Sequence, residues 1–165
     1  MSEADVNRLL YVVCVFELRK GEVIIKQGEH AHSMFIVETG SLRVTVGKEK
    51  NQIDLPEVGA GEWVGEISLL DPGPASATVR VASDATVLEF SHQALKDFLR
   101  TNPMGACALL EALASDLAER LHRTSLGLIE SKDGRLVQGA APIGEQRSWI
   151  KDLLGMLLVP LKGKS

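Results

Sequence analysis

Between residues 12 and 91, short apolar or alternating runs follow one another, separated by turns that contain glycine. An alternation with a period of two is typical of a β-strand that buries one face. We predict strands at residues 12–18, 23–26, 34–37, 42–46, 78–81 and 86–90. The polar stretch at 47–52 predicts the tip of a hairpin. Short strands at this spacing predict a β-barrel or a β-sandwich.

From Ser91 onward the pattern becomes helical. The Ser91 hydroxyl can cap a helix that runs through Leu95 and Phe98. A longer helix is predicted after Asn102 and Pro103. Its leucines recur at spacings of three and four residues, which predicts that they share one face: Leu110, Leu113, Leu117 and Leu121. The expected fold class is therefore mainly β with C-terminal α.

The composition favours one compact domain with an appendage. With 165 residues and 45% hydrophobic content, the chain can bury a core, and 4% aromatic content leaves that core to aliphatic side chains. A formal net charge of -4 argues against direct binding of nucleic acid, which needs a basic face. Cys14 and Cys107 lack the spacing of a metal site. We find no secretory leader or membrane-spanning run, so the expected location is the cytoplasm.

The segment at residues 64–79 carries the main functional signal. Gly65 has no Cβ, so its backbone can approach a ligand closely. The next N–H groups, at Glu66, Ile67 and Ser68, would begin a short helix, where unpaired donors and the helix dipole favour an anion. A second negative group beside that anion would be repelled, so Glu66 is better explained as an acceptor for neutral sugar hydroxyls. A phosphate together with a ribose indicates a nucleotide.

Residues 65–70 and 74–79 resemble the phosphate-binding cassette of cyclic-nucleotide-binding domains. Residues 20–29 and 34–44 resemble the first strands of that family, which are separated by glycines. Residues 119–125 resemble the long helix found in catabolite activator proteins, which are members of the family. The similarity spans residues 12–126 in the order of the family. It implies a double-stranded β-helix (β-roll or jelly-roll), followed by a long helix and a C-terminal helical tail.

The resemblance also implies a role for each matching position. Glu66 would accept a hydrogen bond from the ribose 2′-hydroxyl, while Thr124 and Ser125 would face the purine base. The positions implied for the cyclic phosphate are the backbone of Gly65, Glu66, Ile67 and Ser68 and the side chain of Ser76. The expected ligand is a cyclic nucleotide, cAMP, and no metal or other cofactor is expected.

Ala75 departs from the family pattern, which has an arginine at this position to pair with the phosphate. Because charge-assisted hydrogen bonds contribute roughly 1.5–3 kcal/mol each, losing such a pair could weaken binding by about two to four orders of magnitude. Arg80 is not expected to replace it. It lies five positions further along the same strand, an odd offset that turns its side chain to the opposite face.

The resemblance ends near Leu128, and residues 131–165 are expected to form a linker and an amphipathic helix at 145–159. We therefore divide the chain into residues 1–130 and 131–165. The remaining length is not expected to hold a DNA-reading module. The apolar stripe of the 145–159 helix predicts contact with the chain's own body, a dimer mate or a partner protein, and less so a membrane.

Two functions are compatible with these features. The first is a stand-alone regulatory sensor that binds a cyclic nucleotide and signals to a partner or to a dimer mate through the leucine-bearing helix. The alternative, favoured by Ala75, is a scaffold on the same fold that has lost the ligand and binds proteins. We considered a cupin-like metal site at His30 and His32, but their turn context and the missing third ligand argue against it. The chain lacks the motifs of nucleophilic catalysis, so an enzyme is not expected.

Overall fold

A computed structural model describes residues 2–47 and 51–130, with backbone alone at residues 3, 6 and 123–130. Its helices are α1 (Glu3–Leu10), α2 (Glu66–Leu70), α3 (His92–Thr101) and α4 (Pro103–Glu130). Its strands are β1 (Cys14–Leu18), β2 (Val23–Ile25), β3 (His30–Ala31), β4 (Ser33–Val46), β5 (Ile53–Asp54), β6 (Val58–Gly59), β7 (Trp63–Val64), β8 (Gly73–Pro74) and β9 (Thr78–Ser91). An antiparallel β-roll is thus followed by helices, which confirms the expected fold class. The predicted helix at 145–159 lies outside the described residues.

Two long strands, β4 and β9, form the centre of the main sheet and pair with each other along their length. The prediction of four separate short strands in these regions was wrong, because residues 34–37 and 42–46 both belong to β4, and 78–81 and 86–90 both belong to β9. The pairing register shifts around Gly40, which has a φ of 79°. A Cβ there would lie 2.2 Å from the Asp84 carbonyl oxygen. A bulge therefore bends the strand pair where the sequence pattern suggested a break.

The two long strands separate two hydrophobic clusters. Ile36 and Leu88 point to the helices, where they pack with Leu109 and Leu113 of α4. Val44 and Val79 point into the roll, together with Val64 of β7. The inward positions of β4 change from odd to even residue numbers across the bulge, since Val37 and Val44 face the same cluster. The bulge thus keeps both halves of the strand apolar on the buried side.

The helical region agrees with the predicted boundaries. The Ser91 hydroxyl accepts a hydrogen bond from the Ala94 N–H at 3.2 Å, so Ser91 caps α3 as expected. Asn102 ends α3, and Pro103 begins α4. None of the helices in the described ranges combines the length and apolar character needed to span a bilayer. The predicted hairpin tip is also correctly placed, since β4 and β5 pair on either side of it.

The four leucines of α4 do not share one environment, contrary to the prediction. Leu113 is fully buried, and Leu110 packs against the same core cluster of the chain. Leu117 is half-buried, whereas Leu121 is 67% exposed. Leu110 and Leu113 are therefore occupied by the chain's own core, and a dimer contact through all four leucines is not compatible with this packing.

Helix α1, which the sequence patterns did not predict, is held against the junction of α3 and α4. Its capping box joins Ser2 and Asp5. The other carboxylate oxygen of Asp5 accepts a hydrogen bond from the buried Asn102 side chain at 2.8 Å. The hydroxyl of Ser2, the Asn102 amide and the Ser2 backbone N–H, in this order of importance, lower the pKa of Asp5 from 3.8 to about 2. The Asp5 carboxylate thus links the N-terminal helix to the helical junction.

We predict that α1 loses this link in acid. Because folding lowers the pKa of Asp5, its contribution to stability is complete above pH 3.8 and disappears as the pH falls towards about 2. The protection of the amides of residues 4–10 against hydrogen exchange, relative to their intrinsic rates at each pH, should therefore fall over this interval in the wild type. At neutral pH, the same amides should be less protected in Asp5→Asn than in the wild type. The variant should show no transition between pH 3.8 and about 2. A carboxyl NMR titration of Asp5 with a midpoint near 3.8 would contradict the prediction.

Candidate ligand-binding site

Gly65 makes the turn between β7 and α2 in a conformation that only glycine adopts easily. Its φ is 90° and its ψ is 14°, which is the left-handed region. A Cβ at this position would lie 2.6 Å from the Ser33 carbonyl oxygen. The first hydrogen bond of the helix runs from the Leu69 N–H to the Gly65 oxygen at 3.0 Å. The amides of residues 66–68 precede that bond, so the turn presents helix N-terminal donors at the predicted position.

These donors belong to a cavity of about 210 Å³ between the roll and α4. Apolar side chains of the strands and of α2 form most of its wall: Ile25, Val44, Leu55, Val64, Ile67, Ala75, Ala77 and Val79. The remaining lining residues are Gly65, Glu66, Ser68, Ser76 and Arg120. Such a cavity, mainly apolar with a few convergent polar groups, is typical of a small-molecule site.

The structure brings the predicted cassette residues together. Six of the eight predicted ligand positions line this one cavity: Gly65, Glu66, Ile67, Ser68, Ala75 and Ser76. Thr124 and Ser125 lie within α4 by their backbone, but their side chains are outside the described part of the structure. Their predicted contact with a base stays a prediction.

The alternative metal site receives no support from the geometry. His30 lies in β3 and His32 follows it, and both side chains are exposed. In the described ranges, no group of three or more His, Cys, Asp or Glu side chains is placed to hold a metal ion.

Ala75 is buried at the cavity wall, and its backbone is engaged in the roll. It donates to the Glu29 oxygen at 2.8 Å and accepts from the Gly28 N–H at 2.9 Å. Arg80 does not reach this wall. Its guanidinium donates to the Gly21 oxygen at 2.6 Å, and Arg80 is absent from the described lining. In the described lining, the cassette strand therefore contributes no arginine, as the sequence indicated.

Among the described lining residues, Arg120 supplies the positive charge, and the sequence motifs did not predict it as a site residue. Its Nη1 donates to the Glu66 Oε1 at 3.1 Å, and its Nε lies 2.9 Å from the Asp116 Oδ2. The Glu66 side chain is only 7% exposed. A signal was present, because Arg120 lies one helical turn from both Asp116 and Thr124, and residues four apart share a helix face. The geometry thus joins α4 directly to the cassette.

Comparison with known proteins agrees with this geometry. The family model for the cyclic nucleotide-binding domain matches residues 15–102, which is more than half of the chain. The chain belongs to this family.

Two relatives illustrate the extent of the similarity. The cAMP-activated global transcriptional regulator CRP of Salmonella typhimurium is 30% identical over 129 residues, a match that covers 74% of this chain and 60% of the regulator. The cAMP-dependent protein kinase type II regulatory subunit of Drosophila melanogaster is 31% identical over 70 residues, which cover 42% of this chain and 19% of the subunit. The chain thus spans about 60% of the length of the bacterial regulator that it matches.

Solved structures show the same fold. The N-terminal domain of a transcriptional regulator from Streptomyces coelicolor matches with a TM-score of 0.66 at 26% identity. The match covers 73% of this chain and 86% of the Streptomyces domain. The catabolite activator protein of Thermus thermophilus has a TM-score of 0.67 at 22% identity and covers 97% of this chain and 85% of that one. The second comparison supports the fold alone.

We predict that Gly65→Ala destabilises the protein and disrupts the cassette turn. The left-handed conformation alone costs a residue with a Cβ about 1–2 kcal/mol, and the contact with the Ser33 oxygen adds to that cost. Gly73→Ala is the matched control, since a Cβ there meets nothing within 4 Å. Denaturant unfolding should show a loss for Gly65→Ala and less than about 0.5 kcal/mol for the control. Equal stabilities would contradict the proposed role of the turn.

Proposed function

We propose that this chain is a regulatory module that binds a cyclic nucleotide, with cAMP as the leading candidate, and that it is not an enzyme. The observation that carries the proposal is the convergence of the Gly65 turn, Glu66, Ser76 and Arg120 on one cavity. Neutral donors, a carboxylate and a guanidinium together suit a ribose joined to a phosphate. The relatives named for cAMP support the choice of nucleotide. As a regulatory module of this kind, the protein is assigned to the cytoplasm.

The assignment of roles follows from the charges. A ring phosphate suits the amides that follow Gly65 and the Ser76 hydroxyl, because these donors do not carry a negative charge. Glu66 suits the ribose 2′-hydroxyl, since a carboxylate accepts hydrogen bonds and repels phosphate. Thr124 and Ser125 are assigned to the base on the resemblance to the family. Arg120 is the charged group that partly compensates for Ala75, although it also pairs with Glu66.

The contact between Glu66 and Arg120 offers a route for the signal. Arg120 belongs to α4, whereas Glu66 opens α2, so the ion pair connects the helix to the cassette. A ribose hydroxyl that donates to Glu66 changes the acceptor available to Arg120. Ligand binding would therefore favour one position of α4 relative to the roll over another. Such a difference in ligand affinity between two conformations is the requirement for a conformational signal. The receiver is a dimer mate or a protein partner.

The outer face of α4 suits a second copy of the chain better than the four predicted leucines do. Exposed residues recur there at alternating spacings of three and four: Met104, Cys107, Glu111, Ala114, Ala118 and Leu121. This is the a/d repeat of a two-helix coiled coil, and all but one of its side chains are apolar or small. We therefore place the homodimer contact on this stripe, which we call the α4 seam, and of the leucines only Leu121 belongs to it.

The second candidate function is the scaffold that lacks a ligand. Ala75 favours it, because the cavity wall is otherwise apolar and its two charged lining residues, among those described, neutralise each other. In this case the 145–159 segment or the α4 seam would bind a protein partner. The two functions differ in one measurable property, the affinity for cyclic nucleotide.

We predict that titration calorimetry detects binding of cAMP, and more weakly of cGMP, to the wild type. Ala75→Arg should strengthen cAMP binding by about two to four orders of magnitude, because it adds a charge-assisted pair to the phosphate. Ala75→Gln is the control for size without charge and should leave the affinity near that of the wild type. Absence of heat for both nucleotides at millimolar concentration in the wild type would discard the sensor, and recovery by Ala75→Arg alone would support the scaffold.

The α4 seam makes a separate prediction. Leu121→Glu should convert a dimer to a monomer in sedimentation velocity, since it places a charge in an apolar coiled-coil position. Ile53→Glu is the matched control, because Ile53 on β5 is 64% exposed and Leu121 is 67% exposed. Oxidation should also link two copies through Cys107 in a Cys14→Ser background if the helices pair in parallel. A monomeric wild type at micromolar concentration would overturn the seam.

A further inference from the structure

A carboxylate that is not part of the cavity wall lies directly behind its cation. The Asp116 side chain is only 5% exposed and does not line the cavity. Its Oδ2 lies 2.9 Å from the Nε of Arg120, one helical turn further along α4. The same guanidinium contacts Glu66 through Nη1. Arg120 is thus shared between one carboxylate in the wall and another behind it.

The shared guanidinium determines the charge that a ligand meets. Among the described lining residues, Glu66 and Arg120 are the charged ones, and their formal charges cancel. Asp116 adds a further negative charge, so the group of three has a formal charge of -1. Both carboxylate side chains are buried, whereas the Arg120 side chain is 35% exposed. The charges of the two buried carboxylates are weakly screened, and their field reaches a bound ligand.

Orientation of Arg120 does not require the charge of Asp116. The Nε–H can donate to any oxygen acceptor, and the amide oxygen of an asparagine has the same reach as a carboxylate oxygen. The charge of Asp116 therefore acts separately from the contact of its oxygen with the Nε of Arg120. What the charge adds is repulsion towards an anion in the cavity.

We propose that Asp116 is a specificity-determining residue that lowers the affinity of the cavity for anionic ligands by neutralising Arg120. The proposal rests on the cyclic-nucleotide function of the cavity. Together with Ala75, Asp116 sets the site to respond only to high concentrations of a negatively charged ligand. A ligand with the same base and ribose but no phosphate is not affected by this charge.

The experiment compares the wild type with Asp116→Asn, which keeps an acceptor for the Nε–H and removes the charge. Calorimetry with cAMP should show about tenfold tighter binding for the variant, because a nearby repulsive charge is gone. Adenosine, which has no phosphate, should bind both proteins equally or neither. If Asp116 had a purely structural role, its substitution would weaken cAMP binding. The direction of the change in cAMP affinity therefore distinguishes the electrostatic role from the structural one.

Two further variants complete the test. Asp97→Asn is the matched control, because Asp97 also pairs with an arginine on its own helix, Arg100 on α3, and does not line the cavity. It should leave cAMP affinity unchanged. Asp116→Ser should shift the affinity in the same direction as Asp116→Asn, which guards against a folding defect specific to one variant.

The outcomes distinguish this inference from the function on which it rests. Wild-type binding of cAMP combined with equal or weaker binding by both Asp116 variants would overturn the role of Asp116 and leave the sensor intact. Equal gains for Asp97→Asn and Asp116→Asn would overturn it as well. Absence of cAMP binding in the wild type and in both Asp116 variants would reject the sensor and this inference together. Binding of cAMP by the Asp116 variants alone would discard the sensor function of the wild type and support the effect of the Asp116 charge on the cavity.

Discussion

The antiparallel pairing of β4 with β9 is the interaction on which the rest of the structure depends. These strands carry most of the other strands at their edges, and their two faces hold the two hydrophobic clusters. A one-residue slip in pairing would turn every side chain to the other face. The position of the bulges around Gly40 therefore determines which residues of β4 face each cluster. The strand pair thereby positions β7 beside β4, and with it the Gly65 turn and helix α2.

The cavity keeps the predicted cassette residues together although residue 75 is an alanine. The part proposed to bind the phosphate consists largely of backbone at the turn where Gly65 lies close to the Ser33 carbonyl, and backbone donors do not depend on residue 75. The cation comes instead from α4, a helix distant in sequence. Since Arg120 also contacts Glu66 and Asp116, its charge is already partly neutralised. In the proposed function, ligand affinity and communication with α4 therefore both involve the Arg120 side chain.

Prediction from the sequence succeeded where the signal was local. The Gly65 turn, the Ser91 cap and the position of the β4–β5 hairpin follow from residues within a few positions of one another. It failed for the four strands that merge into β4 and β9, because turn-forming residues inside a strand are compatible with both a turn and a bulge. These residues are Gly40 in β4 and Ser83 and Asp84 in β9. It also failed for the face of α4, since leucines at the right spacing do not reveal which side of a helix meets the core of the chain.

By itself, the sequence determined the change from strands to helices at Ser91, the cassette turn and the lack of an arginine at residue 75, because each depends on local backbone preference or on a single side chain. Only the tertiary structure decided that Arg120 reaches Glu66 across 54 positions of chain, that Asp116 lies beside Arg120, and that the stripe from Met104 to Leu121 on α4 is exposed. These features depend on how α4 packs against the roll. That packing is the result of the whole core, and no short segment encodes it.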